Sequence, residues 1–316
     1  GESHGQGLII IVEGVPAGLP ISEEYIATHL ARRQRGYGRG GRMLIEQDRA
    51  HIVSGVRHGY TLGSPIGMTL DNKDWVNWRE AMAVAPVDDP SGDGPGERIT
   101  RLRPGHADLP GAMKYGFDDV RNVLERASAR ETAARVAAGA VALRFLEEFD
   151  IKLHSHVVSI AGVWANLPDA IDWQAVEESP VRCADPEAAS RMISEIDAAK
   201  EAGDTVGGTV EVVAENVPIG LGSHVHWDRK LDGRIAQALM SINAVKAVSI
   251  GPGWETAGLR GSQVQDVIEP VTGPGLPWRR KTNRLGGTEG GMSNGMPLLA
   301  RFAVKPIPTT TNPLPS

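Results

Sequence analysis

The stretch DDVRNVLERASARETAARVAAGAVALRFLEEF, residues 118–149, decides how the chain is read. Its alanines, leucines and arginines favour helix throughout. Within it, however, Ser128-Ala-Arg-Glu131 spells a capping box, in which a serine and a glutamate three residues later satisfy each other's free backbone N–H groups. We therefore expect a fresh helix to begin at Ser128. The competing reading is one unbroken helix with Arg126 and Arg130 four residues apart on one face. A break would place Arg126 beside the free N–H groups of a new helix, a corner that attracts anions.

Working outward, His154–Ile160 and Thr209–Ala214 read as strands, and Glu187–Ala202 as a helix ended by Gly203. Asp232 is placed to cap a helix carrying Ile235, Leu239 and Ile242, with a strand at Ala247–Ile250 after it. Helix followed by strand thus recurs, at 128–160 and 232–250, a hint of internal duplication in segments that share little sequence. Upstream, Ser22 can cap a helix running to about Arg35, with Ile26 and Leu30 on its buried face and Gly36 at its end. Arg42–Glu46 and His51–Val56 read as strands around an Asp48-Arg49 turn, Pro65–Leu70 as a third, and the proline- and glycine-rich residues 86–99 as a long loop. Strands grouped in hairpins, rather than alternating singly with helices, argue for an α+β fold over a doubly wound parallel sheet.

Composition narrows the function. With 316 residues, 41% hydrophobic and 23% charged, and a mean hydropathy of -0.21, the chain describes an ordinary globular protein able to bury a large core. Cys183 is the only cysteine, so no intramolecular disulfide forms, no zinc spacing exists, and a reducing, cytoplasmic setting fits. No run of 18 apolar residues is present, the longest being strand-sized like Leu8–Val12, and no signal peptide is seen. The chain opens on Gly1 without an initiator Met, and residues before it are expected. A net charge of -6 argues against a general nucleic-acid binder. Yet the cations form islands: Arg32, Arg33, Arg35, Arg39 and Arg42; Arg98, Arg101 and Arg103; and Arg279, Arg280, Lys281 and Arg284. Such islands on an acidic protein suggest a small polyanionic ligand.

His4 and His106 lie in glycine-flanked loops, where the backbone approaches a ligand closely and an imidazole can pass a proton to a leaving oxygen. Either one alone is more often structural. Residues 32–42 combine guanidinium forks with flexible backbone, as recognition of phosphate or carboxylate requires. They could instead complement a helix C-terminus or serve as an RGG-like RNA segment. A dinucleotide loop is excluded by context, because Gly36, Gly38 and Gly40 follow a helix rather than a strand. Residues 283–295 carry five glycines among polar side chains, as backbone contact with a flat or phosphorylated ligand would need, or as a long turn would.

Gly-Glu-Ser-His-Gly at 1–5, Arg-Gly-Tyr-Gly-Arg-Gly at 35–40, Arg-Pro-Gly-His-Ala-Asp at 103–108, Glu-Arg-Ala-Ser-Ala-Arg-Glu-Thr-Ala at 125–133, Met-Ser-Ile-Asn-Ala-Val-Lys at 240–246, and the segments 283–295 and 305–309 occur in one order. Taken together they resemble the chorismate synthase family across essentially the whole chain, read as one domain. The resemblance implies an α+β fold, a helical layer sandwiched between antiparallel sheets, assembled as a homotetramer. It implies an anti-1,4 elimination of phosphate from 5-enolpyruvylshikimate 3-phosphate that needs reduced FMN without net redox change, and no metal, membrane or nucleic acid. By that analogy His106 assists phosphate departure and His4 protonates or hydrogen-bonds the reduced flavin. Arg39 and Arg42 hold substrate anions, and Arg33 and Arg39 match positions used for NADPH where members reduce their own flavin. FMN contacts fall on Arg126, Ala127, Ser128, Asn243, Ala244, Gly290, Lys305, Pro306, Ile307, Pro308 and Thr309. The family's short N-terminal strand, and a C-terminal segment supplying an Arg and an Asp, are expected outside residues 1–316. A different flavin oxidoreductase with net hydride transfer and an RNA-binding module on residues 32–42 are the rivals.

Overall fold

The computed structural model describes residues 1–38, 47–87, 97–273, 275–312 and 314–315. Arg39, Arg42, the strand expected at Arg42–Glu46 and most of the loop expected at 86–99 lie outside these residues. The chain divides into two compact units, Gly1–Leu146 with Pro308–Ser316, and Glu147–Ile307. No helix among the described residues is long and apolar enough to cross a membrane.

The first unit contains β1 (Gly7–Val12), α1 (Glu23–Gln34), β2 (Ala50–Ile52), β3 (Val56–Arg57), β4 (Tyr60–Thr61), β5 (Ile66–Asp71), α2 (Asp108–Tyr115), α3 (Arg121–Leu124) and α4 (Thr132–Glu147). Its main sheet is antiparallel in the order β1-β5-β2. Side chains alternate across a strand, so Leu8 and Ile10 are buried at 1% and 6% exposure while Ile9 and Ile11 stand at 72% and 69%. Only one face is therefore covered. The covered face packs Leu8, Ile10, Met68 and Leu70 against Ile26 and Leu30 of α1 and Ala133, Ala137, Ala140 and Val141 of α4. In α4 this stripe is almost all alanine, which lets the helix axis come close to the sheet.

Local chemistry sets the helix ends. Ser22 caps α1, its Oγ accepting from Tyr25 N at 3.1 Å, and the chain leaves the helix at an extended Arg35. The break at Ser128 is present: its backbone is extended, its Oγ accepts from Arg130 N at 3.2 Å, and a short 3-10 turn, Ala129–Glu131, leads into α4. Glu131 does not close the box. Its carboxylate accepts from Arg135 Nε at 2.8 Å, one turn along the helix.

The second unit contains β6 (Lys152–Ile160), β7 (Val163–Trp164), α5 (Trp173–Glu178), α6 (Pro186–Glu201), β8 (Gly208–Glu215), α7 (Leu231–Met240), β9 (Val245–Ile250), α8 (Trp254–Ala257), α9 (Gly261–Val264), β10 (Ile268–Pro270), β11 (Trp278–Arg280), β12 (Thr288–Glu289), β13 (Met292–Ser293) and β14 (Leu298–Val304). Five strands form an antiparallel sheet in the order β7-β6-β8-β14-β9. Helix α6 covers it where Ala188, Ala189 and Met192 meet Val157, Ile160 and Val163. Both helix-then-strand segments, α4–β6 and α7–β9, feed this one sheet. Helices mixed with sheets whose strands pair antiparallel among the described residues make the class α+β.

Two local expectations are corrected. The strand expected at His51–Val56 divides into β2 and β3, because Gly55 turns at φ +80, where a Cβ would lie 2.5 Å from Pro65 O. Asp232 does not cap its helix: α7 begins at Leu231 after an extended Lys230, and the Asp232 carboxylate accepts from Gly233 N at 2.7 Å.

Candidate active site

Asn72, just after β5, ties down the loop that carries His4. Its amide nitrogen donates to Gly5 O at 2.8 Å and Glu2 O at 3.2 Å, and its backbone N–H donates to Gln6 O at 3.2 Å. Its Oδ1 accepts from Arg130 Nε at 2.9 Å, and Arg130 Nη1 donates to Asp48 Oδ1 at 2.6 Å. Asp48 and Arg130 are both buried, a state that charged side chains reach only when paired. Arg33 belongs to the same group. Its Nε donates to Thr132 Oγ1 at 3.0 Å, its Nη2 to Ala129 O at 3.2 Å, and its Nη1 lies 3.5 Å from Asp48 Oδ2.

His4 itself is held by Glu125, at 1% exposure among the most buried charged residues. The backbone N–H of His4 donates to Glu125 Oε2 at 2.7 Å, and its Nδ1 lies 2.8 Å from Oε1 and 3.0 Å from Oε2. The imidazole stacks on Trp78 at 4.0 Å, and the Trp78 indole N–H donates to Asp74 Oδ2 at 2.9 Å. Arg121 lies 5.2 Å from the Trp78 ring centre and 3.7 Å from Glu125 Oε1. Burial pushes the Glu125 carboxyl up, but hydrogen bonds from His4 and the charge of Arg121 outweigh it and hold it below the usual glutamate range. Ser3 N donates to Glu125 O at 3.1 Å, and Ser128 Oγ donates to Ser3 Oγ at 3.2 Å. The structure thus ties His4 directly to the buried Glu125, and Ser128 to the same residue through Ser3.

His106 is organised the same way by a shorter path. Gly105, at φ +77, closes a turn in which His106 N donates to Arg103 O at 3.1 Å. Asp108, the first residue of α2 and fully buried, turns back on that loop. It accepts from Arg103 N at 3.0 Å, Arg103 Nε at 2.9 Å and Arg103 Nη2 at 3.1 Å, and its Oδ1 meets His106 Nδ1 in a short contact. Burial raises the Asp108 pKa, yet bonds from Arg103 and His106 prevail and hold it below the usual carboxylate range. Asp108 is therefore a fixed anion spent on its neighbours. Helix α2 in turn lies tight on α3, since a Cβ on Gly111 would sit 2.4 Å from Val123 Cγ1. Both histidine loops are thus anchored to the α2–α3 corner.

In the second unit, Asn243 and Ala244 precede β9, and Lys305 follows its neighbour β14. Lys305 N donates to Ala244 O at 2.9 Å, with Ala244 in the left-handed region at φ +66. Ile307 O accepts from Thr205 Oγ1 at 2.8 Å. Gly290, at φ +59 in the turn between β12 and β13, has open space where a Cβ would be, so its backbone is accessible to a ligand. Pro308 and Thr309 fall in the first unit. The cationic island at 279–284 is largely spent on local partners: Arg280 makes a two-pronged pair with Glu289, Arg279 and Lys281 face Glu269 at 3.6 and 3.5 Å, and Arg284 Nη1 donates to Gln263 O at 2.8 Å.

Sequence reasoning named His4 and His106 but assigned no role to Glu125, Asn72 or Trp78, and read Asp48 only as a turn residue. An arginine-rich chain needs buried carboxylates to fix its guanidinium groups, and that need was the one available signal for Asp48. Trp78 gave no signal.

The family model described as chorismate synthase matches residues 1–316. The chain is 57% identical over 319 residues to the chorismate synthase of Moorella thermoacetica, covering all of this chain and 81% of the relative. It is 56% identical over 321 residues to that of Symbiobacterium thermophilum, covering all of this chain and 82% of the relative. A chorismate synthase crystal structure, 47% identical, superposes with a TM-score of 0.80 over 98% of this chain and 83% of its own.

Proposed function

This chain belongs to the chorismate synthase family, the lyases that convert 5-enolpyruvylshikimate 3-phosphate to chorismate in the last step of the shikimate pathway, and we propose that it does so with reduced FMN and the two clamped histidines. Reduced FMN, when bound, would supply electron density for the loss of phosphate without net redox change. The observation that carries the reading is the paired design, in which His4 and His106 each turn Nδ1 to a buried carboxylate held below its usual pKa range. A ring held this way moves protons through Nε2. His106 would donate to the departing phosphate oxygen, while His4 would protonate or hydrogen-bond the flavin. Fixed cations around the phosphate would stabilise its developing charge.

The residues carried over by resemblance fit the cofactor's chemistry. The Arg126 side chain is 59% exposed and meets Glu131 at 3.9 Å, too far for a hydrogen bond, so it is open to a phosphate. Gly290 and Ala244 offer backbone in left-handed conformations, Gly290 without a side chain in the way. Arg126, Ala127, Ser128, Asn243, Ala244, Gly290 and Lys305 to Thr309 would hold FMN. Arg39 and Arg42 would hold substrate anions, and Arg39 with Arg33 would meet NADPH where it serves as the flavin's reductant. A homotetramer in the cytoplasm completes the proposal, and its solution mass against the 33.7 kDa chain checks the assembly.

The deciding experiment supplies photoreduced FMN anaerobically and follows chorismate and phosphate together. Equimolar release without NADPH consumption supports the lyase. Net consumption of a hydride donor would move the assignment to a flavin oxidoreductase.

A further inference from the structure

We propose that Glu125 is the positioning residue of His4, a buried carboxylate that keeps the imidazole proton on Nδ1 and makes Nε2 the nitrogen that exchanges protons with bound reactants. Only the kinetic consequence rests on the role given to His4 above; the hold on the ring stands on geometry.

Both carboxylate oxygens converge on one nitrogen, Nδ1, at 2.8 and 3.0 Å, and Oε2 also accepts the His4 backbone N–H at 2.7 Å. An ionised carboxylate offers no proton, so each short N···O approach requires hydrogen on the nitrogen. At 1% exposure Glu125 has almost no water to accept from instead. Arg121, 3.7 Å from Oε1, favours the ionised form. The ring plane is fixed separately by the 4.0 Å stack on Trp78. Bond and stack together set both the direction and the tautomer of the imidazole, as an outer partner does for a histidine at a reacting centre.

Substitution by glutamine makes the idea testable. Glu125→Gln leaves one acceptor oxygen for two donors and adds an amide N–H₂ that needs an acceptor. The arrangement that satisfies all groups gives the oxygen to the backbone N–H and the amide to a bare Nδ1. The ring proton then moves to Nε2, turning an acceptor into a donor where reactants bind.

The measurement is ¹⁵N NMR of ring nitrogens in histidine-labelled, ligand-free protein, at a pH where the ring is neutral, with the His4 signals identified by their loss in His4→Ala. We expect Nδ1 protonated and Nε2 bare in the wild type, and the reverse in Glu125→Gln. In turnover with reduced FMN, Glu125→Gln lowers kcat by about 10-fold to 1000-fold, the worth of a correctly protonated acid or base. KM for substrate stays within about 3-fold, since the lost effect is confined to the chemical step. Glu125→Asp, which restores the charge, recovers part of kcat. A wild-type ring protonated at Nε2 overturns the proposal, and so does Glu125→Gln with ring signals and kcat unchanged. Should Glu125→Gln fail to fold, the wild-type signals still decide. If His4→Ala leaves turnover intact, the role assigned to His4 falls, while the ring signals continue to report on Glu125.

Discussion

Two loop histidines backed by buried carboxylates give the residue scale its sharpest expectations. His4→Ala and His106→Ala should each slow turnover by about 10-fold to 1000-fold, the usual worth of a positioned acid. Both lie in loops, so circular dichroism should show a retained fold; wild-type turnover in either variant would remove that histidine from the mechanism. Asp108 has three donor contacts from Arg103 and one from His106, and that leaves it no freedom to act as a base on its own. If it works through His106, the double variant His106→Ala/Asp108→Asn should be no slower than His106→Ala alone, because residues acting as a unit are not additive. Multiplying effects would show an independent role. Asp108→Asn should also destabilise the fold by about 3 kcal/mol, the lower end for breaking a buried pair, since Arg103 is partly exposed.

At the scale of elements, the same substitution should have opposite signs in two helices. Gly139 lies inside α4 with nothing within 4 Å of a would-be Cβ, so Gly139→Ala should stabilise by about 0.5–1 kcal/mol through helix propensity alone. Gly111 lies inside α2, where the new Cβ would strike Val123, and overpacking of about 1–3 kcal/mol should outweigh that gain. Adding Val123→Ala should relieve the clash, and thermal denaturation of the three variants tests the sign. Across β6, β8 and β14, His156, Glu211 and Arg301 stand side by side. Glu211 accepts from His156 Nε2 at 3.0 Å and Arg301 Nε at 2.5 Å. Burial raises its pKa, but these bonds dominate and hold it below the usual glutamate range. A carboxylate whose folded pKa is depressed binds fewer protons in the native state. Its contribution is present above the unfolded value of about 4.3 and is lost as pH falls through the folded value. The thermal midpoint should therefore drop as pH is lowered below about 4.3, with Glu125, Asp108 and Glu289 adding to the loss. Glu211→Gln should flatten that acid limb and lower stability at neutral pH; an unchanged limb would show that the ladder does not contribute.

For the whole molecule, polyanionic substrate and flavin recognised by the arginine islands of one acidic chain should bind as a ternary complex, each strengthening the other's binding by the same factor. FMN titrated with and without 5-enolpyruvylshikimate 3-phosphate should bind more tightly in its presence, and equal affinities would contradict this. Family, reaction and fold class were legible without coordinates, because seven motifs in one order are specific even when each alone is ambiguous. So were the start of α1 and the break at Ser128 ahead of α4, since Ser22 and Ser128 act on N–H groups two or three residues away. Rules that reach one helical turn work on sequence because covalent connection already holds the partners together. They failed at Asp232, whose carboxylate takes the adjacent Gly233 N–H instead of capping, and at Gly55, whose left-handed turn splits the expected strand. They were silent on the site's supporting carboxylates: Glu125 lies 121 residues from His4, and Asp48 lies 82 from Arg130. A buried charge takes whichever opposite charge the fold brings beside it, and that neighbour is set by strand register and helix packing rather than by distance along the chain. The sequence alone thus determined the family and singled out His4 and His106 as candidates, and only the tertiary structure decided which buried anions hold these two histidines in place.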